Sequence, residues 1–209
     1  MTKKEIKNAI FDVLTPELKK LGFKPQKGKD RFVRPTEFGA QNISYHIVDF
    51  GHKEVTFFYS LRFEKIEELW HKVSDVEPSF QDRSTTLHLI QDELDKNENI
   101  PHEYVFNTEE ELNGIFELVL LQHIPVAQKM FFDKVATLED VDRIINQDVT
   151  QEILEVKPAD QRCMKGIGVA YLINRDDLDE VIVAHQNQMA DAHTRVKTRI
   201  ENLISIVTN

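Results

Sequence analysis

Residues 41–63, QNISYHIVDFGHKEVTFFYSLRF, decide the fold because apolar side chains alternate with polar ones on both sides of a turn. Strict alternation is typical of a strand with one buried face. The eight alternating apolar residues all have odd numbers: Ile43, Tyr45, Ile47, Val55, Phe57, Tyr59, Leu61 and Phe63. Because opposed residues of antiparallel strands share a face, the turn must contain an odd number of residues. The stretch therefore predicts a hairpin whose turn is the three residues 51–53, Gly-His-Lys.

The even-numbered positions of this hairpin form a second, mixed face. Its members are Ser44, His46, Val48, Thr56, Phe58, Ser60 and Arg62. Such a face suits either an overlying helix or a protein partner, and we take His46, Phe58 and Arg62 as candidate contact residues. An acidic loop further along the chain supplies the other candidates, which are Asp92, Glu93 and Asp95. Together these residues are the predicted interaction surface.

A helix and a short strand are predicted before the hairpin. Apolar residues spaced i, i+3, i+4, i+7 and i+8 over residues 6–14 indicate an amphipathic helix. Pro16 is expected to interrupt or restart this helix, and Gly22 to end it. Residues 24–34 are expected to form a basic loop followed by a strand that ends at Pro35.

Helical patterns dominate after the hairpin. A helix is predicted from about Glu64, and two further strands over residues 84–90 and 103–106. Thr108 followed by three glutamates is a capping box that starts a long helix, in which Pro125 is expected to introduce a kink or a restart. The rest of the chain reads as further helices.

Early strands and late helices predict an α+β fold. We expect an antiparallel sheet of about four or five strands in the N-terminal half, with helices on one side of it. The C-terminal half is expected to be helical. The predicted organisation is a helix and sheet over residues 1–107 and a helical part over residues 108–209, packed together as one compact unit.

The charge distribution points to a basic partner. The net charge is −10, but residues 1–35 carry ten basic and four acidic residues, whereas residues 36–209 carry 16 basic and 32 acidic ones. An acidic body repels nucleic acid and steers a basic protein toward itself. The same acidity also has a plain explanation, since it keeps a protein soluble. Nucleic-acid binding through the basic residues 19–34 is therefore only a third hypothesis.

The sequence predicts a cytoplasmic protein. We find no apolar region of a signal peptide and no span of about 18 apolar residues, so no membrane association is expected. A single cysteine, Cys163, excludes an internal disulfide and agrees with a reducing compartment. We expect it to be an inert, half-buried thiol.

No motif favours a metal, a cofactor or a catalytic residue, and none is expected. Glu68 and His71 are spaced i, i+3, but a di-iron site needs this motif twice. His185 and His193 lie eight residues apart, too far along one helix to hold one ion. The Gly-Ile-Gly at residues 166–168 lacks the third glycine of a dinucleotide-binding loop. We expect its small residues to let two helices approach closely.

The order of elements resembles a bacterial family of unknown function. The likeness rests on LGFKPQKGKDRFVR (21–34), the hairpin (41–63), HIPVAQKMFFDKVATLEDVDRIINQ (123–147) and KGIGVAYLINRDDLDEVIVAHQ (165–186). These stretches contain a Leu-Gly-Phe helix end, a Phe-x-Arg strand, an aromatic hairpin and a helix with an internal proline. The resemblance implies an immunity-type role, the neutralisation of a toxin, and it supplies no catalytic residues.

The leading hypothesis is a non-enzymatic cytosolic binding protein, an immunity-type inhibitor of a basic protein partner. The alternative is a hydrolase or metal-dependent enzyme whose site is built from dispersed histidine, aspartate and glutamate residues. No prediction follows about homo-oligomers.

Overall fold

An antiparallel sheet organises the N-terminal half, as predicted. The computed structural model describes residues 1–94, 100–153 and 155–208, and within them the fold is α+β. Across the sheet the strands run in the order β1-β2-β3-β4-β5, and β6 also pairs with β4. The strand bounds are β1 (Lys24–Gln26), β2 (Arg31–Thr36), β3 (Gly39–Phe50), β4 (His52–Phe63), β5 (Leu87–Ile90) and β6 (Tyr104–Phe106).

Helices make up most of the remaining chain. They are α1 (Lys3–Lys20), α2 (Glu64–His71), α3 (Pro78–Gln81), α4 (Glu109–Leu118), α5 (Ile124–Ala127), α6 (Leu138–Asn146), α7 (Ala159–Leu172), α8 (Leu178–Gln188) and α9 (Thr194–Thr208). Two π turns, Val119–His123 and Gln128–Phe132, flank α5. The stretch Glu109–Phe132 is therefore helical from end to end.

The hairpin confirms the predicted buried face but has a shorter turn. All eight odd-numbered apolar residues of β3 and β4 are buried. The predicted three-residue turn is wrong, because β3 ends at Phe50 and β4 begins at His52, which leaves Gly51 alone between them. Lys53, which was assigned to the turn, instead pairs with Phe106 of β6. One residue is still an odd number, so the parity that sets the face is kept.

Two of the predicted proline breaks are absent. Pro16 lies inside α1, whose residues Leu14 and Leu18 on either side of it are buried in the core. Pro35 lies inside β2, because β1 pairs only with residues 31–33 and leaves that part of β2 at an edge of the sheet. Gly22 does end α1, with a left-handed φ of +86°.

The capping box that starts α4 is confirmed. Thr108 Oγ1 accepts a hydrogen bond from the Glu111 amide at 3.2 Å, and Glu111 Oε2 accepts one from the Thr108 amide at 3.1 Å. Pro125 does not end the helical stretch, because π turns on both sides absorb the local change in hydrogen bonding.

The stretch Glu109–Phe132 also corrects one expectation. Among the described residues it is the one helix whose length, 24 residues, and composition would allow it to cross a membrane, although no such span was expected. It starts with three glutamates and buries Leu112, Phe116 and Val119 in the core. One face of this stretch therefore packs on the core of unit 1.

The described chain forms two units whose limits differ from the predicted division after residue 107. Unit 1 contains residues 1–61 and 88–134, and unit 2 contains residues 62–87 and 135–209. The helix α4 contacts α1 and β6 in unit 1, whereas α2 contacts α7 in unit 2. The core of unit 2 is formed by Leu69, Trp70, Val73, Cys163, Met164, Ile167, Ile182, Ile200, Leu203 and Val207.

Candidate protein-binding groove

A groove lies in unit 1 between α1 and the helical stretch Glu109–Phe132. Its volume is about 860 Å³. It is lined by Glu17, Lys20, Leu21, Glu117, Leu120, Leu121, Ile124, Pro125 and Gln128. Most of this lining is apolar, and we call it the groove below.

The wall that follows α4 carries two apolar stripes rather than one. The first stripe is buried and consists of Leu112, Phe116, Val119, His123 and Ala127. The second stripe faces outward and contains Leu118, which is 45% exposed, and Leu121, which is 79% exposed. A helix packed on one core needs only one apolar stripe. The second stripe, which continues to the exposed Pro125, is therefore a surface suited to a partner.

The charged residues of the groove do not cancel. Lys20 pairs with Glu17 at 2.7 Å, so these two charges neutralise each other. Glu117 has no ion pair in the described part of the chain, and Glu109 and Glu110 at the start of α4 are also exposed. The groove therefore combines apolar surface with an uncompensated negative charge.

Arg34 of β2 joins the two walls of the groove. Its Nη1 donates to the Leu21 carbonyl at 3.1 Å, at the end of α1, and its Nη2 donates to Gln128 Oε1 at 2.8 Å. The guanidinium also lies over the ring of Phe23, 4.7 Å from its centre. Burial lowers the pKa of Arg34 from its ordinary value, and the nearby Asp133 opposes that shift. A side chain of the sheet therefore links the two walls of the groove.

The predicted interaction surface is only partly accessible. His46 is exposed and Phe58 is half-buried in unit 1. The assignment of Arg62 is wrong, because it is 8% exposed and belongs to a hydrogen-bonded cluster in unit 2. Its guanidinium donates to both oxygens of Glu64 and to the carbonyls of Gln81 and Ser84.

The acidic candidates are engaged locally where the structure describes them. Asp92 Oδ2 lies 3.1 Å from His102 Nδ1. Glu93 Oε2 accepts a hydrogen bond from the Ile90 amide at 2.8 Å and so closes its own turn. Asp95 lies outside the described residues. Glu117, which the sequence does not single out, is therefore a better candidate than these acids for contact with a partner.

Unit 2 buries an ion pair that the sequence interpretation missed. Lys165 Nζ lies 3.2 Å from Glu67 Oε1, and both side chains are fully buried. Thr86 Oγ1 donates to the same carboxylate oxygen at 2.9 Å, and Lys165 also donates to the Thr85 carbonyl. The sequence does indicate that Glu67 is buried, because it lies three residues before Trp70 and therefore on the apolar side of α2.

A second cavity, of about 500 Å³, lies in unit 2 beside α7 and α8. Arg162, Cys163 and His185 line it. Arg162 donates to the carbonyls of Ile145 and Asp148, so it holds the chain that follows α6. Cys163 is fully buried rather than half-buried, and burial raises the pKa of its thiol to about 12. A protonated thiol of this kind is a poor nucleophile.

In the part of the chain that the structure describes, acids and histidines do not come together as a metal site. Within residues 1–94, 100–153 and 155–208, no three histidine, cysteine, aspartate or glutamate side chains are placed to hold one ion. His185 Nε2 lies 2.7 Å from Asn146 Oδ1. His193 lies beyond the end of α8 at Gln188, so the two histidines do not share a helix.

Two buried histidines make stability depend on pH. Burial lowers the pKa of His123 to about 4, and burial together with Arg162 lowers the pKa of His185 to about 4. The unfolded chain therefore takes up these protons first, near pH 6.5, and stability is lost as the pH falls from there toward 4. We expect the free energy of unfolding to fall by about 1 kcal/mol for each histidine between pH 6.5 and 5.5.

Urea unfolding at several pH values would measure this effect. The variant His123→Gln should show about half of the change between pH 6.5 and 5.5. A free energy of unfolding that stays constant over this range would contradict the prediction.

Comparison of the chain with protein-family models, curated proteins and solved structures finds no match.

Proposed function

We propose that this protein is a non-enzymatic binding protein whose partner is a basic protein. The observation that carries the proposal is the exposed Leu121 in the groove beside Glu117, which has no ion pair among the described residues. Leucine at a preformed apolar surface contributes contact area, and the carboxylate selects for a cation. The acidic composition of residues 36–209 supports the same choice, because it steers a basic protein toward this chain.

An immunity-type role, in which the chain blocks a basic toxin, is the specific form of this proposal. Its support is the resemblance to a bacterial family of unknown function. Membership of that family stays a prediction, as does a cytoplasmic location. For the alternative, a hydrolase or metal-dependent enzyme, no three histidine, cysteine, aspartate or glutamate side chains are placed to hold one metal ion within the described residues.

A pull-down with matched variants would test the proposal. The tagged chain should retain the product of a neighbouring gene at low salt, and about 0.5 M salt should release it because screening weakens charge pairing. The variant Leu121→Glu should weaken this binding by about tenfold or more. Val183→Glu is the control, since Val183 is 54% exposed on α8 in unit 2. Equal retention by both variants would contradict the assignment to the groove.

A further inference from the structure

The long wall of the groove offers an occupant mainly side chains. Its residues are helical, so apart from the carbonyl that Pro125 leaves unpaired their backbone groups are used internally. The α1 wall is the last turn of a helix, where carbonyls have no partner within the helix, and that of Leu21 accepts from Arg34. The one neutral polar side chain of the lining, Gln128, is also engaged, because it accepts from Arg34 and donates to Asp133. An occupant that satisfies its own backbone hydrogen bonds, as a helix does, therefore suits the groove better than an extended peptide.

The outward stripe has the spacing of a helix-binding surface. Leu121, Ile124 and Pro125 of the lining follow one another at i, i+3 and i+4, and the exposed Leu118 comes three residues before them, outside the lining. From Leu118 to Pro125 the stretch covers about two helical turns. A partner helix with apolar side chains at i, i+3 or i+4, and i+7 would place them against this stripe over the same length.

The charges of the groove favour a basic protein over an anionic membrane or a second copy of the chain. Because Lys20 is already paired with Glu17, the uncompensated charge of the lining is that of Glu117. A lysine or arginine beside the apolar face of the partner would meet this carboxylate. Anionic lipid headgroups would be repelled by Glu117 and by the glutamates that start α4. A second copy is disfavoured as well, since its net charge is −10.

We propose that the groove binds an amphipathic helix of another protein, with its apolar face on Leu121 and Pro125 and a lysine or arginine at Glu117. This inference rests on the proposed function and specifies the partner segment.

Three model peptides would test the inference. The first contains only leucine and lysine, with leucine at the helical spacing; the second alternates the same residues one by one; the third replaces each lysine of the first with glutamate. Titration followed by fluorescence should show the first peptide binding at least about tenfold more tightly than the other two. Circular dichroism should show that it becomes helical as it binds.

Variants identify the surface and the charge. Leu121→Glu should weaken binding of the leucine-lysine helix by about tenfold or more, whereas Val183→Glu should leave it unchanged. Glu117→Lys should reverse the preference, so that the leucine-glutamate helix binds more tightly than the leucine-lysine helix. Equal affinities for the three peptides, or no effect of Leu121→Glu, would overturn the inference.

Other occupants give different results. Sedimentation that shows a dimer of the chain, lost in Leu121→Glu, would assign the groove to a second copy and overturn the inference. Binding to vesicles of phosphatidylserine and phosphatidylcholine that depends on Leu121 would assign it to a membrane and overturn it too. If Leu121→Glu abolishes capture of a protein partner but no helical peptide binds, the proposed function stands and the helix assignment fails. If neither a partner nor a peptide depends on Leu121, both fail.

Discussion

Replacing Lys165 with methionine is expected to lower the free energy of unfolding by about 3–5 kcal/mol. The substitution keeps a side chain of similar length but leaves the Glu67 carboxylate buried without its cation. The second oxygen of that carboxylate, Oε2, is buried and already has no hydrogen-bond partner among the described residues. The Thr85 carbonyl would lose its donor as well. Urea unfolding at pH 7 measures the loss.

Matched controls distinguish the effect of breaking the ion pair from the effect of replacing a lysine side chain. The double variant Glu67→Met, Lys165→Met removes both charges, and we expect it to return to within about 1 kcal/mol of the original stability. Lys197→Met is the surface control, because Lys197 is exposed on α9 and its replacement should change stability by no more than about 0.5 kcal/mol. A Lys165→Met variant as stable as Lys197→Met would contradict a buried ion pair.

Replacing Gly166 with alanine is expected to lower the free energy of unfolding by about 2–4 kcal/mol. A Cβ at this position of α7 would lie 2.5 Å from Asn146 Oδ1 and closer still to His185 Nε2. These two atoms form a hydrogen bond with each other, and Asn146 Nδ2 also donates a hydrogen bond to the Gly166 carbonyl at 3.0 Å. The added methyl group would force both side chains away and break these hydrogen bonds.

The neighbouring glycine of the same helix is the control. A Cβ at Gly168 would meet Leu69 Cδ1 at 3.7 Å, an ordinary contact, so Gly168→Ala should gain up to about 1 kcal/mol from helix propensity. In the variant His185→Ala the space beside Gly166 is vacated, and adding Gly166→Ala to it should cost less than in the original protein. Equal effects of the two glycine substitutions would contradict the steric explanation.

Two features that depend on residues close together in the chain were predicted correctly from the sequence. The parity of the apolar residues in β3 and β4 depends only on the pleat of a strand, and the buried face followed from it. The Thr108 cap likewise involves residues three apart in the chain. The proline predictions were weaker, since Pro16 and Pro35 lie in elements whose packing or edge position outweighs the local preference.

The candidate site was harder to predict because its contacts join distant parts of the chain. Arg34 reaches Gln128, and Glu67 reaches Lys165, across separations that no local pattern encodes. Leu118 and Leu121 are visible in the sequence as apolar residues, but they do not fall on the buried stripe of this helix. A helix with apolar residues on two faces is the sequence signal that would have found the groove.

The position of Arg34 decides how the groove can respond to a partner. Its guanidinium belongs to a strand that also pairs with β1 and β3, so the separation of the two walls is set by the sheet. A preorganised groove spends little conformational entropy on association. With the two walls tied to the sheet in this way, discrimination among partner helices would arise from the size of their anchoring side chains and show in how slowly they dissociate.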